Sequence, residues 1–377
     1  MKILYLTQWY PNRYDAMAGL FVRNHAEAAA RQGLDVCVLY CHPVDTNPSG
    51  EDLEVIEQTT NGVREIYIYH TGNPFRALWR GRDEVLFRWG TPDLCQVNVL
   101  SKSALVAYNL YLRWHIPYVI VEHWSGYLPA NGDYLRNTSR MQHWLYQHIA
   151  RKAACILPVS NMLMNAMRTC GIPGKRWQLL HNVVYDCFFE EHPRPENRAP
   201  YELLHVSCFD EKAKNIRGIL DATRLLLNRR QDFRLTVIGT GADFQADKAY
   251  ADSLGLTGET VVFEGEKTPE EVCAAMQKAH VFILFSRYEN APVVLSECMA
   301  VGLPVVASRV GGIPEMVNNT TGVLVPSEDV HSLADAIDNI LNELTDYHAD
   351  TIRSFGAEYS YQYVGKQLKT LYESVLS

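Results

Sequence analysis

Several features that would each define a class of protein are missing from this sequence. No apolar run approaches the roughly 18 residues that a membrane-spanning helix needs. The nine cysteines are scattered without a C-x-x-C pair, so neither a disulfide framework nor a zinc site is indicated. The apolar start, residues 2–7, is too short for a secretory signal and reads as a first strand. These absences predict a reducing, cytoplasmic setting. The length of 377 residues, 47% of them hydrophobic, suggests two domains.

A nicotinamide-binding motif is also missing. The loop after the first strand, residues 8–19, lacks the G-x-G-x-x-G pattern that holds such a cofactor. An oxidoreductase is therefore a remote interpretation, and no cofactor is predicted.

Charge is divided unevenly along the chain. Residues 1–185 carry 18 Lys and Arg against 14 Asp and Glu, whereas residues 186–377 carry 17 against 29. The acidic half would repel a polyanion, which argues against a general nucleic-acid binder. The basic half is compatible with an anionic surface or substrate, and equally with ordinary surface variation.

Residues 281–308 form the most informative stretch, and their pattern predicts a strand, a loop, a helix and a second strand. An apolar run, residues 281–285, is followed by polar residues 286–290. Pro292 suits the first turn of a helix, Gly302 stops it, and a second buried strand follows at residues 304–308. Polar side chains therefore follow the carboxyl end of a buried strand, where doubly wound sheets bind ligands.

Two carboxylates stand out in this stretch. Glu289 lies on the loop, and Glu297 lies more than one helical turn further on, so both can face one crevice. Carboxylates accept hydrogen bonds from hydroxyl groups, and a helix start takes negative charge, so a ligand with hydroxyls and phosphate fits. The alternative is that each glutamate only solvates a surface turn. The expected helix start consists of Asn290, Ala291, Pro292 and Val293.

The segment E-N-A-P-V-V-L-S-E, residues 289–297, resembles the paired-glutamate motif of glycosyltransferase family 4, the retaining nucleotide-sugar transferases of GT-B fold. The following A-V-G-L-P-V-V-A-S-R-V-G-G-I-P-E, residues 300–315, resembles the family's next block. The resemblance implies that Glu289 contacts the donor sugar and that Glu297 contacts the ribose hydroxyls.

Two further residues of the first half match blocks of that family. The turn at Gly19 resembles the place where a glycine lets the backbone approach the donor phosphates, although Ala18 replaces a second usual glycine. His123 follows a buried strand and resembles the histidine that reaches the transferred sugar. The alternatives are a glycine that eases the turn into a helix and a histidine that serves only the structure.

The second half resembles the family's donor-binding domain. The resemblance implies that Lys214 clamps the donor pyrophosphate, but the position of a partner arginine is occupied by Cys208. Lys212 or Arg287 could compensate. The chain contains no D-x-D pair, which favours the metal-free GT-B site over the metal-dependent GT-A type. Two strand-end glycines, Gly239 in a weak G-x-G and Gly265 near the expected nucleobase, complete the predicted donor site.

The resemblance implies an α/β fold of GT-B type, with two Rossmann-like domains facing across a cleft. We expect an acceptor-side domain over residues 1–185, a nucleotide-sugar-binding domain over residues 186–360, and a helix crossing back to the first domain over residues 361–377.

The function so implied is transfer of a sugar from a nucleotide sugar to an acceptor hydroxyl with retention, in polysaccharide or lipid-linked glycan synthesis. UDP sugars are expected more than GDP sugars. Glu289, His123 and Lys214 are the expected catalytic residues, and no metal is expected. A GT-B-fold nucleotide-sugar epimerase and a non-catalytic nucleotide-sugar-binding protein remain alternatives.

Two segments combine basic and aromatic residues, Asn73–Gly90 and Tyr134–Lys152. Such segments suit a membrane interface, or else pack as peripheral helices on a sheet. We therefore expect a cytoplasmic protein that binds reversibly to an anionic membrane surface through its first domain. The polar stretch at residues 51–62 is expected to be a surface loop.

Overall fold

Two mostly parallel sheets, each in a separate part of the chain, organise the computed structural model, which describes residues 1–47, 50–128 and 134–377. The first unit comprises residues 1–183 together with residues 361–377, and the second comprises residues 184–360. Each unit contains one sheet with helices on its faces.

The first unit contains a seven-stranded sheet in the order β3-β4-β2-β1-β5-β6-β7. Its central strands are nearly continuous apolar runs because helices cover both of their faces. All of its pairings are parallel except that of β3 with β4. The strands are β1 Lys2–Thr7, β2 Asp35–Pro43, β3 Leu53–Thr60, β4 Val63–His70, β5 Leu94–Asn98, β6 Tyr118–Glu122 and β7 Cys155–Pro158.

The helices that connect these strands mostly begin at polar residues. Asn73, Ser139 and Ser160 each accept a hydrogen bond at a helix start, as N-caps do. The helices are α1 Leu20–Arg31, α2 Pro74–Arg88, α3 Ala104–Trp114, α4 Tyr134–Asn137, α5 Arg140–Lys152 and α6 Asn161–Thr169.

The expectation of a surface loop over residues 51–62 is wrong. Most of this stretch is the edge strand β3, which pairs antiparallel with β4 through a two-residue turn. Asn61 and Gly62 both have positive φ, 50° and 81°, as that hairpin turn requires. Polar residues are tolerated in this strand because all of its side chains are exposed or only partly buried at the sheet edge.

The second unit contains a six-stranded parallel sheet in the order β10-β9-β8-β11-β12-β13. Its strands are β8 Tyr201–Val206, β9 Phe233–Ile238, β10 Val261–Gly265, β11 Val281–Leu284, β12 Val305–Ser308 and β13 Gly322–Val325. Its helices are α7 Glu211–Lys214, α8 Ile216–Leu226, α9 Phe244–Ser253, α10 Pro269–Lys278, α11 Val293–Val301, α12 Ile313–Met316, α13 Val330–Asn342 and α14 Ala349–Gly356.

The last helix, α15 Tyr361–Leu376, belongs to the first unit, where it packs on α1. A buried chain of hydroxyl and amide groups ties it to the sheet. The Tyr372 hydroxyl lies 2.8 Å from the Tyr5 hydroxyl on β1 and donates to Gln96 Oε1 on β5 at 2.5 Å. All three side chains are fully buried, so each depends on the others for its hydrogen bonds.

None of the helices in the described part of the chain is both long and apolar enough to span a membrane.

Replacing Tyr372 with Phe removes one hydroxyl from this buried chain and leaves Gln96 Oε1 without its donor. We expect the free energy of unfolding to fall by about 1–3 kcal/mol, the cost of leaving a buried polar group unsatisfied. Urea denaturation followed by circular dichroism measures the loss. Tyr111→Phe is the control, because the Tyr111 hydroxyl bonds to none of the described residues. Equal midpoints for the two variants would contradict the prediction.

Candidate functional site

The strand order of the second sheet creates one position where ligands are expected. From the central strand β8 the sheet continues through β9 on one side and through β11 on the other. At such a reversal, the loops after the two strands diverge and leave a crevice at their carboxyl ends. The loop after β8 carries α7 with Lys214, and the loop after β11 carries Glu289.

Lys214 and Glu289 form an ion pair at this position. The Lys214 Nζ lies 2.5 Å from Glu289 Oε1, and the same oxygen accepts a hydrogen bond from the Ser286 hydroxyl at 2.8 Å. Both charged side chains are largely buried. Burial acts to lower the pKa of Lys214, but the charge and hydrogen bond of Glu289 raise it above its usual value. Lys214 is therefore a fixed positive charge at neutral pH.

Arg287 fixes the geometry of the two loops relative to each other. Its backbone amide donates to the Ala213 carbonyl at 2.8 Å, and its guanidinium binds Asn215 Oδ1 at 2.7 Å and Glu328 at 2.8 Å. The guanidinium is thus already engaged by protein groups. Lys212, the other residue expected to compensate for Cys208, is exposed, as is Cys208 itself.

Glu297 lies on the second turn of α11 and differs from Glu289 in having no partner. Within the described residues, its carboxylate takes part in no hydrogen bond or ion pair, although it is half-buried. Desolvation raises its pKa from 4.5 to about 7. A half-buried carboxylate without a donor is a ready acceptor for ligand hydroxyls.

The start of α11 lies between the two glutamates. Pro292 is the N-cap residue and Val293 the first helical residue, one position later than the sequence predicts. The first amides of a helix have no acceptor inside the helix, and within the described part of the chain no side-chain hydrogen bond caps α11. An anion site formed by this segment together with Asn290 and Ala291 stays a prediction.

The two predicted strand-end glycines come together on neighbouring strands. Gly239 follows β9 and Gly265 ends β10, and the Gly239 amide donates to the Gly265 carbonyl at 2.7 Å. Both therefore lie at the same sheet edge as Lys214 and Glu289, since all four strands are parallel.

In the first unit, His123 lies directly after β6 in a group of aromatic rings. Its imidazole is 4.1 Å from the Phe21 ring and 5.4 Å from the His25 ring, between ring centroids. Burial, and then the neighbouring His25, lower the pKa of His123 well below its usual range, while a hydrogen bond with Asn182 opposes this. His123 is therefore neutral at physiological pH and suits a hydrogen-bonding role rather than a charged one.

Glu122 is a residue that the sequence interpretation passed over. Its buried carboxylate accepts hydrogen bonds from the amides of His123, Trp124 and Leu100 at 2.9–3.0 Å. Burial raises the pKa of Glu122 to about 7, against the effect of these three bonds. Its hydrogen bonds therefore fix the backbone at His123 and Trp124. An acidic residue ending an apolar run was the available signal.

Gly19 is required by the fold of the first unit itself. It is the N-cap of α1 with φ of 61°, and a Cβ atom there would lie 2.2 Å from the Trp9 carbonyl oxygen. Only glycine fits such a contact.

Over the residues that the structure covers, no cluster of three or more His, Cys, Asp or Glu side chains is arranged to hold a metal ion.

Comparison with solved structures defines the class of fold. The crystal structure of Anabaena HepE in complex with UDP matches with a TM-score of 0.74 at 16% identity, and the match covers 99% of this chain and 100% of that one. The architecture is therefore that of the GT-B glycosyltransferases, which confirms the expected fold class.

Sequence comparison identifies the family. The family models Glycosyltransferase Family 4 and Glycosyl transferases group 1 match residues 18–186 and 188–353. The alpha-D-kanosaminyltransferase of Streptomyces kanamyceticus is 28% identical over 292 residues, 72% of this chain and 75% of the relative. The amylovoran biosynthesis glycosyltransferase AmsK of Erwinia amylovora is 30% identical over 214 residues, 55% of this chain but only 51% of AmsK. This chain belongs to the group 1 glycosyltransferases of family 4 and is a glycosyltransferase.

The raised pKa of Glu297 predicts a pH-dependent effect on stability. In the unfolded chain this carboxyl ionises near pH 4.5, whereas in the folded protein it ionises near pH 7. The charged form therefore lowers stability progressively from about pH 4.5 upward, and the whole cost is present above pH 7. We expect Glu297→Gln to raise the melting temperature at pH 8 and to have little effect at pH 4.5.

Glu289→Gln is the matched control for thermal melts at the two pH values. Its carboxylate is paired with Lys214, so neutralising it should lower the melting temperature at pH 8. A Glu297→Gln variant that is destabilised equally at both pH values would contradict the assignment of a desolvated, unpaired carboxylate.

Proposed function

We propose that this glycosyltransferase moves a sugar from a nucleotide-sugar donor to an acceptor hydroxyl with retention of configuration, and that the second unit binds the donor. The observation that carries the proposal is the Lys214–Glu289 pair at the carboxyl ends of β8 and β11, followed on α11 by the unpartnered Glu297. The cation suits the diphosphate of a nucleotide sugar, and the two carboxylates suit the hydroxyl groups on either side of it. Ligands bind at this position of a parallel sheet, where the strand order reverses.

In this proposal Lys214 and the start of α11 bind the diphosphate. Lys214 stays charged because Glu289 raises its pKa, and the α11 amides add a partial positive charge. Both are held in place before the donor binds, so they can stabilise the negative charge that develops on the leaving group. Lys212, exposed nearby in α7, supplies a second cation where Cys208 replaces the arginine of the family.

The proposed reaction needs no nucleophile from the protein. The bond between the anomeric carbon and the diphosphate oxygen breaks, and a bond from that carbon to the acceptor oxygen forms on the same face. The acceptor hydroxyl gives its proton to the leaving diphosphate, which departs as the nucleoside diphosphate.

Separate roles follow for the two glutamates. Glu297 accepts hydrogen bonds from the ribose hydroxyls, and Glu289 accepts them from the sugar. Gly239 and Gly265 line the nucleotide side of the same edge. His123 is proposed as a hydrogen-bond partner of the sugar, and Gly19 as a phosphate-side glycine, on the sequence resemblance.

The comparisons favour a UDP sugar as the donor and a growing glycan as the acceptor. HepE was crystallised with UDP, and the name of AmsK assigns that protein to amylovoran biosynthesis. We therefore propose that the chain acts in the synthesis of a polysaccharide or a lipid-linked glycan.

The division of roles predicts two different losses. Glu297→Ala should weaken the affinity for UDP by roughly 1.5–3 kcal/mol, because the ribose loses a charged acceptor. Glu289→Ala should leave UDP binding intact and reduce turnover of the nucleotide sugar. Calorimetry with UDP and assays of UDP release measure the two effects. Glu259→Ala, at an exposed loop, is the control. Equal damage to both ligands by either variant would refute this division.

Retention is tested on the product itself. We expect an α-linked UDP sugar to give an α-linked product, because both bonds lie on one face of the ring. The proton coupling constant at the new anomeric centre, measured by NMR on the isolated product, distinguishes the two configurations. A β-linked product would refute the same-face mechanism while leaving donor binding unaffected.

A further inference from the structure

The outer face of α5 carries apolar side chains that the described residues of the first unit leave largely exposed. Met141 is 78% exposed and Trp144 is 61% exposed, while Tyr146, Ile149 and Ala150 on the opposite side are buried. Residues 141, 144, 148 and 151 follow one another at helical spacing, so they form a single stripe. Apolar side chains exposed together on the outer face of a helix are typical of an interaction surface.

This stripe continues onto the neighbouring helix α3. The His148 ring stacks on Trp144 with centroids 5.5 Å apart, and it meets the Tyr108 ring edge-on at 5.6 Å. Tyr108 lies one helical turn before Leu112, which is 56% exposed. We call this combined surface of α3 and α5 the α3–α5 face.

The cations of the α3–α5 face are not neutralised. Arg140, Arg151 and Lys152 are exposed, and none of them makes an ion pair with a described residue. Between residues 94 and 185, Glu122 is the only acidic residue that the structure describes, and it is buried. These three cations have no ion-pair partner among the described residues, so the α5 part of the face presents positive charge.

The other basic-aromatic segment, α2, differs in this respect. Arg76 pairs with Asp52 at 3.1 Å, Arg80 pairs with Glu84 at 2.5 Å, and Arg82 pairs with Asp83 at 2.7 Å. Arg88 pairs with Glu84 and also with Glu57 at 3.2 Å, so four carboxylates face the four arginines. Its charge is cancelled locally, so α2 has little to offer an anionic partner at a distance.

We propose that the α3–α5 face binds an anionic lipid bilayer, with Met141, Trp144 and Leu112 entering the interface and the unpaired cations contacting lipid phosphates. Trp suits the boundary between head groups and acyl chains because its ring is amphipathic, and Met suits it because its flexible apolar chain adapts to irregular surroundings. The cations on the same stripe then lie at the level of the anionic head groups. The inference goes beyond glycosyl transfer, since it depends only on this surface.

The test uses the full chain and vesicles of phosphatidylcholine with or without phosphatidylglycerol. We expect the wild type to sediment with the anionic vesicles, and the bound fraction to fall as salt rises. Arg140→Gln/Arg151→Gln/Lys152→Gln should lower the partition coefficient on the order of 100-fold, at about fivefold for each charge. Met141→Ser/Trp144→Ser should lower it without changing its dependence on salt.

The matched control removes the same charge from paired positions of the same unit, Arg64→Gln/Arg76→Gln/Arg80→Gln. It should bind as the wild type does, and thermal melts verify that every variant is folded. An equal loss in the control, or a wild type that ignores anionic vesicles at low salt, would overturn the proposal. Binding of RNA but not of vesicles through the same three cations would overturn it too, and would identify a nucleic-acid surface.

Discussion

The parallel pairing of β8 with β11 is the constraint on which the candidate donor site depends. The two strands align Leu203 with Val281 and Leu204 with Phe282, so their carboxyl ends emerge at one edge. Lys214 and Glu289, 75 positions apart, meet there as a largely buried ion pair. Burial of either charge alone would be costly, and each partner makes the burial of the other tolerable. The pair thus keeps a cation poised in a site that solvent only partly reaches.

The sequence predicted those parts of the structure that depend on local pattern. Apolar runs located the central strands, and the 289–315 segment indicated both the family and the loop–helix placement of Glu289 and Glu297. It did not predict that Glu289 pairs with Lys214 while Glu297 stays unpaired, because that follows from strand order rather than from spacing. The hairpin of β3 and β4 was missed although Asn61-Gly62 signals it, since the polar edge strand lacks an apolar face.

The charge of surface helices was also only partly predictable from the sequence. From composition, α2 and α5 look alike, as both alternate arginines with aromatic residues. Two pairings of α2 could have been found from the i,i+4 spacing of Arg80, Glu84 and Arg88. The pairing of Arg76 with Asp52 could not be predicted from helical spacing, because Asp52 lies outside the helix, before strand β3. The net charge that a basic helix presents therefore depends on the acidic residues that the fold places beside it.

The attachment of α15 to β1 has a consequence for the order in which the protein is made. The Tyr5–Tyr372 bond joins residues 367 positions apart, so the first unit is discontinuous in the chain. A ribosome adding about 5–20 residues per second must complete all of residues 184–360 before this helix emerges. During those seconds, the surface of α1 that α15 covers is open on a nascent first unit. The first unit therefore completes its packing only after the whole second unit has been synthesised.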